Sequence, residues 1–358
     1  LTYNGERTSH DEMKAALKKL QQKGKRVYVI TATHDYTTPR MPTYGIDKND
    51  KYIEVESVKR TQLLKYYGDF GYNNAKHKST MSYVAQLADG YRLFALNDDY
   101  GDPDCGFSDE LMNWVKTEAN NAKRDGQYII AMTHHPLVPP SPIYTAGDML
   151  NDYELRSKQL SDLGFDFVLT GHTHMHNISY CKIGDKKFYD ISTAALTGFP
   201  PYYRQIVLNK EQKKAEIKTI CADCADSIDT NGLALEEYTK DLFFGVVSKA
   251  LYDAEYDYDN FADFAVGMSI SKETSKKYKP IIHRFAKFLN HLTFGKVWHF
   301  VRFSSGVSKS EISKISPLCY QHCGKSLQRR RKHTYFLHRI QNDMFGVEES
   351  RPSCKTVR

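Results

Sequence analysis

The residues of this chain best suited to chemistry are imidazoles gathered in three short turns. Gly171-His172-Thr173-His174 puts two of them one residue apart. In extended backbone, residues i and i+2 point the same way. His172 and His174 can therefore converge on one point, and neutral imidazole is the commonest protein ligand for Zn, Mn and Fe. The other two turns are Thr133-His134-His135-Pro136 and Thr33-His34-Asp35. With 14 His in 358 residues, one His-x-His pair could arise by chance. The recurrence of the pattern is what points to a metal.

Each turn follows an apolar run that reads as a buried strand. Arg26–Ile30 precedes His34, Tyr128–Met132 precedes His134, and Phe165–Leu169 precedes His172. All three turns then lie at C-terminal strand ends, where open α/β sheets place their ligands. Ser9 and Glu12 have capping-box spacing ahead of a helix running to about Lys23, whose Met13, Leu17 and Leu20 share one face. Ser108-Asp109-Glu110 opens a helix to about Arg124, and Asn151–Leu163 forms another. Asp89-Gly90 joins Tyr83–Leu87 to Tyr91–Asn97 as a hairpin. Four short antiparallel strands follow: Ser179–Ile183, Lys187–Ile191, Arg204–Leu208 and Ala215–Ile220. This order predicts an α/β fold, a layered α/β/β/α sandwich of mixed sheets.

The remainder divides by composition. Residues 1–222 carry the sandwich pattern. Residues 223–301 form a helical appendage, with Leu233–Tyr252 and Ile281–Leu292 helical. Its acidic Tyr252–Asp259 run lacks the Gly and terminal Glu of a calcium loop and reads as a solvated turn. Residues 302–358 form a basic tail. Of 50 Lys/Arg and 43 Asp/Glu, twelve and four lie from Arg302 onward, leaving 38 and 39 before it. The net charge of +7 thus belongs to the tail and says nothing about the partners of the rest. Arg329-Arg330-Arg331-Lys332 sits in no recognisable nucleic-acid motif, so nucleic acid is not an expected partner. No run approaches the roughly 18 apolar residues of a membrane span. The seven Cys make no disulfide framework, and Cys221-x-x-Cys224 has no second pair to complete a zinc ribbon.

Taken together, the three histidine turns, in this order and at strand ends, resemble the last three motifs of the calcineurin-like metallophosphoesterases. That family is marked in order by Asp-x-His, Gly-Asp-x-x-Asp, Gly-Asn-His-Asp, a strand-end His and Gly-His-x-His. The resemblance covers roughly residues 1–220. It implies two divalent ions (Mn, Fe or Zn) and a small phosphoester substrate. His134 and His172 would ligate one ion and His174 the other. His34 would be the non-ligand imidazole beside the phosphate, with Asp35 holding its turn and His135 behind the ligands. Thr33 stands at the family's Asn position, where a hydroxyl is the weaker ligand, and Ala32 at its Gly. The first motif and the Gly-Asp of the second would precede Leu1, with Leu1-Thr2-Tyr3-Asn4-Gly5 as the continuation of the second and Tyr3 at its second Asp, which implies an N-terminally truncated chain. The implied activity is metal-dependent hydrolysis of phosphomono- or diesters through a dinuclear centre in the full-length form, with this chain expected to be impaired. The competing expectation is a catalytically decayed member kept for binding; Thr33 favours it, and the survival of four site histidines opposes it.

Overall fold

Along Tyr91–Ala95, Leu93 and Phe94 are buried in different clusters on opposite faces of one sheet. That two-sided burial sets the layers. The structure, a computed structural model, describes residues 1–2, 5–36, 44–46, 52–77, 79–99, 105–141, 148–212, 214–223, 229–267 and 272–291. In chain order the elements are α1 Arg7–Gln22, β1 Tyr44–Ile46, β2 Tyr52–Glu54, α2 Arg60–Tyr66, β3 Ala75–Lys76, β4 Tyr83–Ala88, β5 Tyr91–Ala95 and α3 Asp109–Arg124. Next come β6 Tyr128–Met132, α4 Tyr153–Asp162, β7 Phe167–Thr170, β8 Asn177–Ile183, β9 Lys186–Ser192, β10 Tyr202–Asn209 and β11 Lys214–Cys221. Three helices close the described chain: α5 Leu235–Tyr256, α6 Tyr258–Gly267 and α7 Lys272–Asn290.

Seven strands form one mixed sheet in the order β3-β4-β5-β6-β7-β9-β8. Its centre, β5-β6-β7-β9, is parallel, and its edges are antiparallel. One face packs against α3 and α4 through Phe94, Ala131, Val168, Leu111, Val115 and Leu160. The opposite face is covered twice. Tyr83 and Ala95 pack with Leu63 of α2 and with Met13 and Leu17 of α1. Leu93, Ile130, Phe167 and Ile191 pack with Leu208 and Ile217 of the β10–β11 hairpin. The layered sandwich expected from the sequence is therefore present. The β4–β5 turn falls at Asp89-Gly90, with Gly90 at φ +73°. α3 begins where expected, the Ser108 hydroxyl accepting from the Leu111 amide at 3.1 Å.

Three local expectations need correction. Arg26–Ile30 joins no sheet among the described residues. Val29 is buried, its amide donates to the Phe70 carbonyl (2.9 Å) and its carbonyl accepts from the Tyr83 hydroxyl (2.6 Å). The Thr31 amide donates to the Tyr72 hydroxyl at 3.0 Å. Buried aromatic hydroxyls thus take backbone bonds that a strand neighbour would otherwise make. Secondly, α1 starts at Arg7 rather than after Ser9, and Glu6 provides no side-chain cap. The Arg7 amide bonds to Glu56 and the Val58 amide to Gly5, both at 2.9 Å, which fixes the entry point earlier. Thirdly, Tyr252–Asp259 is a joint between α5 and α6 rather than a solvated turn. Asp253 is buried, paired with Lys249 and accepting from Asn260 Nδ2 at 2.9 Å.

Two compact units are distinguished, Leu1–Thr239 and, from Lys240, the helical part. No described helix is long and apolar enough to cross a membrane. The basic tail from Arg302, Tyr3 and Cys224 lie outside the described residues, as do most of the loop 37–52 and part of 137–149.

Candidate metal centre

β6 and β7 are parallel neighbours with Met132 opposite Leu169. The ladder continues past both strands. The Thr133 amide donates to the Leu169 carbonyl and the Gly171 amide to the His134 carbonyl, each at 3.0 Å. Two histidine turns are thereby stitched side by side. The chain then bends sharply: His172 and His174 both adopt left-handed backbone, φ +57° and +55°. Such strain in non-glycine residues persists where surrounding structure enforces it, commonly at functional sites.

The outcome is a cluster. His134 Nε2 and His172 Nδ1 are 3.1 Å apart. His135 joins them, its ring 4.1 Å from that of His172 and 5.0 Å from that of His134. One ring nitrogen from each of the three lies within 4.8 Å of the others. Burial depresses the pKa of His134 to about 3 and that of His172 to about 4, with the charge of His135 adding to the effect on His172. At neutral pH both therefore keep a lone pair for a cation or a donor.

His135 behaves oppositely. Burial alone would lower it, but the hydrogen bonds and charges of Asp98 and, after it, Cys105 more than offset this and push it up to about 10. Its Nδ1 lies 3.2 Å from Asp98 Oδ2. Burial would in turn raise Asp98, yet the His135 contact holds that carboxyl below its ordinary range. The same oxygen accepts from the His135 amide (2.6 Å) and the Thr133 hydroxyl (2.8 Å). Asp98 Oδ1 is buried with no hydrogen-bond partner among the described residues.

A second buried carboxylate braces the same two turns. Asp190 of β9 accepts from the Leu137 amide (2.7 Å) and the Val138 amide (3.1 Å), beyond β6, and from the Thr170 hydroxyl at the end of β7. Burial raises its pKa to about 6. Neither Asp98 nor Asp190 figured in the sequence reading. Asp98 does follow an apolar run, as the three histidine turns do, and that was the available signal.

His174 is not in the three-histidine cluster. It is exposed, and partial desolvation together with the nearby His34 imidazole lowers its pKa. His34 sits in a 3₁₀ turn, Thr33–Asp35, with Thr33 half-buried beside it. Asp35 is fully buried and pins this turn, accepting from the Ala32 amide (2.9 Å) and the Thr2 amide (2.8 Å). The structure therefore brings His134, His135 and His172 together, sets His174 near His34, and uses Asp35 as an internal anchor.

The donor set fits a divalent cation. Two nitrogens bound to one ion at about 2.1 Å lie roughly 3.0–3.4 Å apart for octahedral or tetrahedral angles, which brackets the His134–His172 separation. Both imidazoles are neutral, each with one lone-pair nitrogen, and a buried carboxylate oxygen with no hydrogen-bond partner among the described residues lies on the neighbouring Asp98.

These shifts fix a stability profile for the metal-free protein. Folded His134 and His172 titrate below the ordinary 6.5, so between about 4 and 6.5 the unfolded chain binds protons the folded chain refuses, and stability falls as pH falls. Asp190 opposes this, since its raised pKa favours the folded state at the acid end of that window. His135 titrates above 6.5, so its contribution is complete below 6.5 and is lost as pH rises toward 10. Urea midpoints measured in chelator from about pH 4.5 to 9.5 are expected to peak near neutrality and fall on both sides. A flat profile would contradict these assignments.

Residues 4–176 match the family model of the calcineurin-like phosphoesterases. Among solved structures, the chain is similar to a dimetal phosphatase from Danio rerio, at 12% identity over 60% of this chain and 77% of that one, with a TM-score of 0.39. It is also similar to GAP50, the anchor in the inner membrane complex of Plasmodium, at 12% identity over 52% and 68% of the two chains and a TM-score of 0.27. No curated protein sequence matches.

Proposed function

Residues 4–176 belong to the calcineurin-like phosphoesterase family, and on that premise we propose that the protein hydrolyses phosphomono- or diesters of small molecules at a dinuclear metal centre around His134, His172 and His174. Membership supports metal-dependent hydrolysis of phosphoesters in general; the dinuclear centre and the substrate class are our reading. The observation that carries it is the 3.1 Å approach of two imidazoles at the ends of adjacent parallel strands.

In this reading His134 and His172 hold one ion, while His174, with Thr33 as a weak neutral donor, faces the second. Bound divalent ions would neutralise the phosphate and supply hydroxide near neutral pH. The chain's own groups do the rest. His34 lies near His174 and can deliver a proton to the leaving oxygen. Asp35 fixes the turn that carries His34, and Asp98 fixes His135 beside the ligands. As an imidazolium, His135 adds positive charge where an anionic substrate would approach.

The test is hydrolysis of p-nitrophenyl phosphate and its bis-ester with added Mn²⁺, with bound metal counted in parallel. Turnover that needs Mn²⁺ is the expected result. Bound metal without turnover on either ester would favour the second reading, a binding protein with a decayed site, for which Thr33 at the family's Asn position speaks.

A further inference from the structure

The helical unit carries a surface that the phosphoesterase site does not use. α7 is seated by the Tyr258 hydroxyl donating to the Ser275 carbonyl (2.7 Å) and by Asn290 Nδ2 donating to Glu255 and to the Leu251 carbonyl (2.9 Å each). Ser275 and Ala286 are its buried side. Tyr278, Ile281, Phe285 and Phe288 are not covered, with exposures of 46, 68, 60 and 58%. At 100° per residue these four fall within an arc of about 80°, which is the apolar stripe of an amphipathic helix. Lys277, Arg284 and Lys287 occupy the adjoining arc. Arg284, Lys287, Phe288 and His291 line an open concavity of about 400 Å³. Six Lys/Arg stand against one acidic residue, Glu273, within α7.

We propose that α7 lies in the plane of an anionic lipid bilayer, its aromatic stripe in the acyl boundary and its cationic row on the phosphate headgroups. Each alternative partner leaves half the surface without a use. A nucleic acid would satisfy the cations but leave four large apolar side chains in water. A second copy would cover the stripe but bring two cationic rows together, with one acidic residue per helix to offset them. An anionic bilayer takes both halves, and basic flanks beside Phe-rich faces are the pattern of interfacial helices.

Flotation of the whole protein with phosphatidylcholine vesicles, alone or mixed with phosphatidylglycerol, tests this. Binding to the mixed vesicles, absent with neutral ones and weakened by added salt, is expected. Ile281→Ser with Phe285→Ser should lower binding at least about tenfold. Lys277→Gln with Arg284→Gln should lower it about fivefold per cation. All four side chains are exposed, so far-UV circular dichroism should be unchanged. Failure of the wild-type protein to float would overturn the proposal. So would undiminished binding by both double variants, which would assign it elsewhere, such as the basic run from Arg302. A lipid-free dimer in sedimentation velocity that Ile281→Ser with Phe285→Ser abolishes, without vesicle binding, would replace the bilayer with a second copy.

Discussion

His172→Ala is expected to cut Mn²⁺-dependent p-nitrophenyl phosphate hydrolysis at least a hundredfold, on the order of 2.7 kcal/mol of barrier, and to remove bound metal. The size follows from position. His172 shares a 3.1 Å edge with His134, so its loss leaves one nitrogen where two converged. Losing an outer support of a metal ligand already costs about 10–100-fold, and losing the ligand itself should cost more. The backbone complicates the obvious variant, because Ala tolerates φ +57° poorly. His172→Asn accepts that conformation and separates strain from chemistry. Both variants should lose metal and turnover together. Wild-type rates at saturating Mn²⁺ in His172→Asn would remove His172 from the ligand set.

Asp98→Ala should cost about 3–5 kcal/mol of stability, read as a lowered denaturant midpoint near pH 7. Asp98 is fully buried, and its removal leaves His135 without its counter-ion and orphans the Thr133 hydroxyl and the His135 amide. Asp98→Asn should cost less, because an amide oxygen still accepts. The two carry different pH signatures from the wild type. Without the carboxylate only the Cys105 contact still raises His135, so the alkaline fall in stability should shrink and begin at lower pH while the acid fall remains. An alkaline fall undiminished in Asp98→Asn would assign it to another group.

What could be read from the residues differed by kind of interaction. The hairpin at Asp89-Gly90 and the Ser108-capped helix are local, so a few residues specify each. The histidine turns were legible because an apolar run ending in a polar turn marks a strand end, and β6 and β7 obeyed it. Arg26–Ile30 shows the limit. An apolar run reports burial, which Val29 has, but does not name a hydrogen-bonding partner, and here tyrosine hydroxyls took that place. Asp98 and Asp190 show another. Their partners lie 37 and 52 residues away in sequence at His135 and Val138, and such pairings become visible only when strands are set side by side.

The cross-strand bonds from Thr133 to Leu169 and from Gly171 to His134 bear on how such a site could be transplanted. His134 and His172 are set side by side by the last rungs of a parallel ladder. The smallest portable unit would be the four adjacent parallel strands β5, β6, β7 and β9 in this register, the two His turns, and the two acids that the outer pair supply. A host sheet offering that register could accept the graft whatever loops it carries. A host shifted by one residue would point the imidazoles to opposite faces and receive nothing.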